Sequence, residues 1–234
     1  MTTPPPTLAM VDDTAGVLAD DGEELLTDAE LARAGAYRRE VDRADYVAAH
    51  VLVRRCASAL LDVPAADVVL RQRCAGCGAT DHGRPYVEGR PEVHVSLSHT
   101  RGAVAAAAGW APVGVDVEAI GRRLDDGLMA KVLSDGELEA VRAAVDPKTA
   151  FIRQWVRKEA LIKVGAASLG RLRDTDLSGL PAHVPAGTPE WGRFDPWHVL
   201  DWLDPAHRFG FAAVSTHETR LVAPRPTPTR RPQT

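Results

Sequence analysis

Apolar residues that recur every three or four positions predict two long helices in this chain. One begins near Asp42 and ends before Pro64, and the other runs from Asp146 to about Gly165. Asp-Pro at positions 146–147 supports the second start, because aspartate caps a helix and proline suits its first turn. Two shorter helices are predicted from capping boxes, at Thr27–Glu30 and Ser134–Glu137.

Short runs rich in valine and other strand-forming residues predict the strands. These runs are Asp67–Arg71, Tyr86–Val87, Val93–Ser98, Ala103–Trp110, Gly114–Glu118, Trp197–Trp202 and Arg208–Ser215. Helices followed by strands occur twice, which favours an α+β fold of two halves. We expect a flexible lead-in at 1–16, an N-terminal half at 17–111, a C-terminal half at 112–223 and a disordered tail at 224–234.

Composition and charge exclude several classes of function. The 234 residues are 45% hydrophobic and carry a formal net charge of −4, which argues against nucleic acid as a partner. The most apolar stretch, Ala103–Trp110, is too short to cross a membrane, and the N-terminus lacks a secretory signal pattern. Three cysteines do not make a disulfide framework, so we expect a cytoplasmic protein.

Two carboxylates share one face of the predicted strand Gly114–Glu118. Side chains in a strand alternate between faces, so Asp116 and Glu118 point the same way while Val115 and Val117 point into a core. Paired carboxylates repel each other unless a cation lies between them, and oxygen ligands favour Mg²⁺ over Zn²⁺. The alternative is a solvated strand end.

The second long helix carries a polar pair in line with two large aromatic side chains. Phe151, Trp155, Glu159 and Lys163 are each four residues apart and therefore lie along one ridge. An ordinary ion pair on a solvated face would account for Glu159 and Lys163. However, Glu159 and Lys163 lie on the same ridge as Phe151 and Trp155, and a solvated face rarely carries such large aromatic side chains. We therefore interpret this ridge as a functional face.

The two signals occur together in the order of a known family. The Gly-Val-Asp-x-Glu strand and the Trp-x-x-Lys-Glu-Ala-x-x-Lys helix, with Asp116 and Lys158 42 positions apart, resemble the 4′-phosphopantetheinyl transferase superfamily, of the stand-alone, two-lobed Sfp type. Upstream, the Ser-His pair at 98–99, the Gly-Arg-Pro turn at 83–85 and the arginine helix at 48–54 are similar to the same family.

The resemblance implies an α+β pseudo-dimer of two similar halves, with the active site in the cleft between them. The implied reaction moves the 4′-phosphopantetheine arm of coenzyme A onto a serine of an apo acyl- or peptidyl-carrier protein. Adenosine 3′,5′-bisphosphate would be released, with Mg²⁺ as the cofactor and Mn²⁺ as the alternative. The implied carriers belong to fatty-acid, polyketide or nonribosomal peptide biosynthesis, and we expect a monomer.

The alternatives to this transferase function are a Mg²⁺-dependent hydrolase of nucleotide pyrophosphates and a non-catalytic module that binds coenzyme A or a carrier protein.

The resemblance also assigns roles to single residues. It implies that Asp116, Glu118 and Glu159 bind the metal, that Glu159 is a base, and that Lys163 neutralises the attacked phosphate; Asp116, Glu159 and Lys163 form the catalytic set. Coenzyme A would contact Arg38, Arg54, Gly83, Arg84, Pro85, Ser98, His99, Lys158 and Lys163. Arg39 and Arg43 compete with Arg38 for the 3′-phosphate, and a solvated basic face is the alternative for these arginines.

A cysteine pair, Cys74 and Cys77, precedes His82. Such a pair can open a zinc site, but zinc needs four ligands and a second pair is absent. Cys56 and His82 are the residues that could complete it. We interpret the pair as a turn with free thiols, with structural zinc as the alternative.

Overall fold

The structure is a computed structural model that describes residues 5–19, 22–74, 76–80, 82–121, 125–182, 187–204, 206 and 208–223. In these ranges the helices are α1 (Thr14–Leu18), α2 (Asp28–Gly35), α3 (Glu40–Leu61), α4 (Asp126–Val132), α5 (Asp135–Ala143) and α6 (Pro147–Lys163). The strands are β1 (Thr7–Asp13), β2 (Leu70–Arg73), β3 (Arg84–Val87), β4 (His94–Thr100), β5 (Ala103–Gly109), β6 (Val113–Ala119), β7 (Glu190–Phe194), β8 (Trp197–Asp204), β9 (Phe209–Ser215) and β10 (Thr219–Leu221). The predicted α+β class is confirmed.

The strands form two sheets, each covered by one long helix. The first sheet has the order β10-β1-β5-β4-β3-β2, and α3 packs on β5 and β4. The second has the order β6-β9-β8-β7, and α6 packs on β6 and β9. No helix among the described residues is long and apolar enough to cross a bilayer.

The two sheets pack face to face through small and branched side chains. In β5, Val104, Ala106 and Ala108 face α3, whereas Ala103, Ala105 and Ala107 face the second sheet. The facing side chains of the second sheet include Val115, Val117, Phe211 and Ala213. Alanine on β5 lets the two sheets approach closely, which brings β4 beside β6 and positions the site described below.

The start of the chain corrects one prediction. Residues 7–13 form β1, which pairs antiparallel with β5 and parallel with β10, so the flexible lead-in predicted at 1–16 is wrong from Thr7 onward. The backbone groups of β1 are satisfied by two neighbouring strands, and Ala9 and Met10 are buried. β10 joins the first sheet although it follows the second, so the chain does not divide cleanly at residue 112. The tail predicted at 224–234 lies outside the described residues.

The ends of α6 agree with the sequence. Asp146 caps the helix by accepting the backbone N–H groups of Lys148 and Thr149, and Pro147 is its first residue. The helix ends at Lys163, and Gly165 follows with a left-handed φ of +79°. The position of α6 is therefore fixed by local signals at both ends.

Candidate active site

The acidic side of β6 faces α6, as the alternation of side chains requires. Asp116 and Glu118 lie opposite Ala212 and Gly210 of β9 and point to the same face of the sheet. On that face, a Cβ atom at Gly114 would lie 2.1 Å from the carbonyl oxygen of Ala160. Glycine is required at this position because only the bare backbone lets α6 come so close to β6.

This close approach brings Glu159 of α6 to the carboxylates of β6. Burial raises the pKa of Glu159, the charges of Asp116 and Glu118 raise it further, and Lys163 opposes them. The pKa of Asp116 is also raised, chiefly because its carboxylate is buried, although Lys163 and Ser98 favour the charged form. The three carboxylates predicted to act together therefore share one electrostatic environment.

Asp116 has one satisfied oxygen and one orphaned oxygen. Its Oδ1 accepts hydrogen bonds from Ser98 Oγ at 2.7 Å and from Lys163 Nζ at 3.2 Å. Its Oδ2 is buried and has no hydrogen-bond partner. A buried carboxylate oxygen without a donor, in a residue whose charge acts on Glu159, is the environment that a hard cation would satisfy. The residues present therefore fit Mg²⁺.

The carboxylates are near one another, but they do not form a closed coordination shell. Among the residues that the structure describes, only Cys74, Cys77 and His82 offer three ligand atoms that all lie within 4.8 Å of one another. A more open arrangement of acidic side chains is what Mg²⁺ accepts, since it keeps several waters and substrate oxygens in its shell.

Lys163 ties the two sheets together at the site. Its ammonium group donates to the carbonyl oxygens of Val115 at 2.6 Å and Leu97 at 3.3 Å, besides its contact with Asp116. Its side chain remains 29% exposed. Lys163 therefore holds β4 against β6 and still presents positive charge to the solvent beside the carboxylates.

A cleft opens next to Ser98 and Lys163. A cavity of about 470 Å³ is lined by all five residues of the predicted turn and Ser-His pair, Gly83, Arg84, Pro85, Ser98 and His99, and also by Lys163. The structure thus brings together residues that are 80 positions apart in the chain, from Gly83 to Lys163. A guanidinium and an ammonium group at one cleft suit an anionic ligand.

The turn at Gly83 is held in place on both sides. Gly83 has a φ of +108°, and a Cβ atom there would lie 2.3 Å from the carbonyl oxygen of Arg73. Arg84 donates to the carbonyl oxygen of Lys163 at 2.6 Å. This bond connects the β2–β3 hairpin to the end of α6 and closes one wall of the cleft.

The cleft continues beyond this cavity toward α2. A second cavity of about 400 Å³ shares Arg33, Tyr46, His50, Gln72, Pro85 and Leu97 with the first. Arg33, which the sequence analysis did not select, lines both cavities. The available signal was its spacing of three residues from Glu30 of the capping box, which places both side chains on the cleft side of α2.

The predicted 3′-phosphate arginines are mostly engaged with protein groups. Arg54 is buried, and it binds Glu30 at 2.6 Å and the carbonyl oxygen of His50 at 2.9 Å. Arg39 pairs with Asp42, and Arg43 pairs with Glu40 and Glu23. Arg38 is exposed and lies outside the lining of both cavities. None of these four arginines lines the cleft in this structure.

Lys158 lies in the core, away from the cleft. Its side chain is fully buried and forms a 2.6 Å ion pair with Glu137. The ammonium group also donates to the carbonyl oxygens of Val132, Leu172 and Thr175, at 2.7 to 2.9 Å. This position corrects the prediction that Lys158 contacts coenzyme A, because its side chain is 0% exposed and its ammonium group lies among core acceptors outside the lining of both cavities.

Comparison with known proteins gives one family and one curated relative. Residues 112–212 match the family model of the 4′-phosphopantetheinyl transferase superfamily, a range that includes β6 and α6. A protein of Bacillus pumilus named 4′-phosphopantetheinyl transferase psf-1 is 27% identical over 135 residues. That alignment covers 57% of this chain and 54% of the relative, so the chain spans about half the length of the relative it matches.

Proposed function

We infer, from the match of residues 112–212 to the family model and from the curated relative, that the chain belongs to the 4′-phosphopantetheinyl transferase superfamily. We propose that it transfers the 4′-phosphopantetheine arm of coenzyme A to a serine hydroxyl of an apo carrier protein. The serine oxygen forms a bond to the β-phosphorus of coenzyme A, and the bond from that phosphorus to the bridging pyrophosphate oxygen breaks. Adenosine 3′,5′-bisphosphate leaves with the electron pair. The observation that carries the proposal is the meeting of Asp116, Glu118 and Glu159 beside a cleft lined by basic side chains.

Asp116, Glu118 and Glu159 are the residues that would hold Mg²⁺. The orphaned Oδ2 of Asp116 and the all-oxygen donor set support this assignment. When bound, the ion would supply positive charge that favours an anionic leaving group.

Glu159 is the proposed base for the serine proton. Its pKa is raised by burial and by the neighbouring carboxylates, which brings its affinity for a proton closer to that needed near neutral pH. Lys163 stands one helical turn further on, and its exposed fraction lets it neutralise charge on the attacked phosphate. Positioning and electrostatics would supply most of the catalysis, as in other phosphoryl-type transfers.

The cleft is the proposed coenzyme A site. Arg84 and His99 line its wall, and Ser98 connects the cavity to Asp116 through a 2.7 Å hydrogen bond. A nucleotide bound along the cleft would present its pyrophosphate to Lys163 and the carboxylates. We also propose that Arg33 binds the 3′-phosphate of coenzyme A, because Arg33 lines both cavities.

The test uses the purified protein with Mg²⁺, coenzyme A and an apo carrier protein, and weighs the carrier by intact mass spectrometry. We expect the carrier to gain one phosphopantetheine, and we expect Glu159→Gln and Asp116→Asn to abolish that gain. Glu139→Gln, at an exposed position of α5, is the matched control and should retain activity.

Two outcomes would replace the proposal. Cleavage of coenzyme A to free phosphopantetheine, with no carrier modified, would identify a pyrophosphate hydrolase. Binding of coenzyme A without any reaction, tested against acyl- and peptidyl-carrier proteins, would identify a binding module. Elution as a dimer in size exclusion would contradict the monomer that we propose.

A further inference from the structure

The connection between β2 and β3 gathers two thiols and an imidazole at one point. Cys74, Cys77 and His82 each offer a ligand atom, and these atoms all lie within 4.8 Å of one another. Within the described residues no other group of three metal-binding side chains is as close. The three residues lie on the hairpin connection, outside the carboxylate site.

The separation of these ligand atoms agrees with the geometry of zinc. Bond lengths of about 2.3 Å to sulfur and about 2.0 Å to nitrogen, at tetrahedral angles, require neighbouring ligand atoms to lie about 3.5 to 3.8 Å apart. The observed distance between Cys77 Sγ and His82 Nε2 is 3.4 Å. Only small side-chain movements are therefore needed to place an ion between the three atoms.

The backbone of the connection is folded as a tight turn around Cys74. The carbonyl oxygen of Cys74 accepts the N–H of Gly78 at 2.9 Å, and the N–H of Cys74 donates to Ala79 at 2.8 Å. Gly78 adopts a left-handed φ of +74°, which a residue with a side chain rarely adopts. The turn thus returns the chain beside Cys74 and holds the two thiols together before any metal binds.

The same turn favours the thiolate, which is the form that binds metal. The backbone N–H groups of Cys77 and Gly76 donate to the sulfur of Cys74, and the Cys77 and His82 side chains also hydrogen-bond to it. These donors surround the sulfur of Cys74 before any metal binds. Cys56 has no part in this group, because it is buried in α3 and its thiol donates to the carbonyl oxygen of Leu8.

We propose that Cys74, Cys77 and His82 bind one zinc ion, which clips the ends of the β2–β3 hairpin together. Three protein ligands leave one position of the tetrahedron for water or an exchangeable ligand. The structure has both cysteines as free thiols in a turn, as the sequence analysis interpreted them, and the proposal takes up the zinc alternative that was left open there. The sequence analysis gave weight to the missing second cysteine pair, whereas the fold brings His82 to the first pair.

A zinc ion bound at Cys74, Cys77 and His82 would stabilise one wall of the cleft, and its effect on coenzyme A binding rests on the proposed function. His82 directly precedes Gly83, and Arg84 follows it into the cleft, where it donates to the carbonyl oxygen of Lys163. Zinc at His82 would therefore fix the turn that presents Arg84 to coenzyme A. Loss of zinc should raise the KM for coenzyme A more than it lowers kcat.

The first experiment measures zinc alone and needs neither coenzyme A nor a carrier. The reduced full-length protein is equilibrated with zinc, dialysed against metal-free buffer and analysed by inductively coupled plasma mass spectrometry. We expect one zinc per chain in the unmodified protein and in the control Cys56→Ala, and none in Cys77→Ser or His82→Asn. Circular dichroism checks that each variant is folded.

Cobalt provides a second readout on the unmodified protein. Bound Co²⁺ should show a thiolate-to-metal charge-transfer band, and added zinc should abolish that band. No retained zinc in the reduced protein, or zinc retained equally by Cys77→Ser and His82→Asn, would overturn the proposal. A Cys74–Cys77 disulfide that persists in reducing buffer in place of metal would overturn it as well. If zinc is bound but no carrier is modified, the proposed function fails while the zinc site stands.

Discussion

Among the charged side chains of helix α6, Lys158 is directed toward α5 and Glu159 toward β6, whereas Arg153 and Arg157 pair with Asp201 of β8. On the first face, toward α5, Lys158 is fully buried, and Glu137 and three carbonyl oxygens accept all of its protons. On the second, toward β6, Glu159 lies beside Asp116, whose Oδ2 has no partner. Lys158 and Glu159 are neighbours in the sequence, but the first is satisfied by the fold and the second is left for a ligand.

This difference separates charges that hold the fold from charges that we propose to be catalytic. A buried ion pair with complete hydrogen bonding contributes to one packed arrangement, and removing one partner leaves the other uncompensated. Crowded carboxylates with an orphaned oxygen instead cost stability, which a bound cation would recover. Substitutions on the two faces should therefore separate stability from activity.

The largest effect is expected from Glu159→Gln. Removing the proposed base and metal ligand should lower the rate of carrier modification by about 10²–10⁴-fold. The free energy of unfolding in metal-free buffer should stay the same or rise, because one of three crowded carboxylates is neutralised. Intact-mass kinetics and urea unfolding measure the two quantities. Retention of the rate would show that Glu159 is an ordinary surface carboxylate.

Lys158→Met should have the opposite effect, with a large loss of stability and little change in the rate of carrier modification per folded molecule. It leaves Glu137, which is 0% exposed, as a buried charge without its partner, and we expect a loss of about 3–5 kcal/mol in the free energy of unfolding. Lys148→Met, at an exposed position on the same helix, is the control and should change stability by less than about 0.5 kcal/mol. Adding Glu137→Met to Lys158→Met should recover part of the loss. A loss confined to activity would contradict the structural role.

Magnesium should stabilise the unmodified protein through the second face. At 100 times its Kd, a ligand that binds only the folded state adds about 2.7 kcal/mol to the free energy of unfolding. Thermal unfolding with increasing Mg²⁺ measures this effect. Asp116→Asn should remove most of the shift, whereas Glu139→Gln should keep it. Equal shifts in both variants would place the cation elsewhere.

Gly114→Ala tests the close approach that brings the two sides of the site together. The added Cβ atom would lie 2.1 Å from the carbonyl oxygen of Ala160, so α6 must move away from β6. We expect a loss of about 1–3 kcal/mol in stability, accompanied by reduced activity per folded molecule. Gly35→Ala, where an added Cβ meets no atom within 4 Å, is the matched control. Unchanged activity in Gly114→Ala would mean that the spacing between β6 and α6 is not critical.

The smallest effect is a pH dependence of stability in metal-free buffer. The pKa values of Asp116 and Glu159 are raised in the folded state, so the folded protein binds protons more tightly than the unfolded chain. The contribution of these two groups to the free energy of unfolding is complete at pH values below their pKa in the unfolded chain. It is lost as the pH rises through their pKa in the folded protein. Urea unfolding as a function of pH should show this decline, and Glu159→Gln should reduce it. Activity should change in the other direction, because Glu159 accepts a proton only when ionised.

The sequence predicted the site where the signals are local. Alternation places Asp116 and Glu118 on one face of β6, and the Asp-Pro start fixes the register of α6, so the placement of Glu159 and Lys163 in the last turns of that helix was predicted without coordinates. The Gly-Arg-Pro turn and the Ser-His pair were also found, because the family resemblance rests on consecutive residues.

Burial by distant partners was not predictable. Lys158 lies within the same motif as Glu159, yet its acceptors come from residues 132 to 175, and no local pattern shows that they surround it. Arg54 was predicted to bind a phosphate, but Glu30, 24 residues upstream, occupies it. The strand β1 was missed because its paired neighbours, β5 and β10, come from distant parts of the chain.

The most direct test compares Lys158→Met and Glu159→Gln with the unmodified protein in one carrier assay, at equal concentrations of folded molecules. Intact mass of the carrier is followed over time with Mg²⁺ and coenzyme A. We predict that the unmodified protein and Lys158→Met add one phosphopantetheine at similar rates, while Glu159→Gln adds almost none. Equal activity in Glu159→Gln, or loss of turnover per folded molecule in Lys158→Met, would contradict the division of α6 into a structural face and a catalytic face.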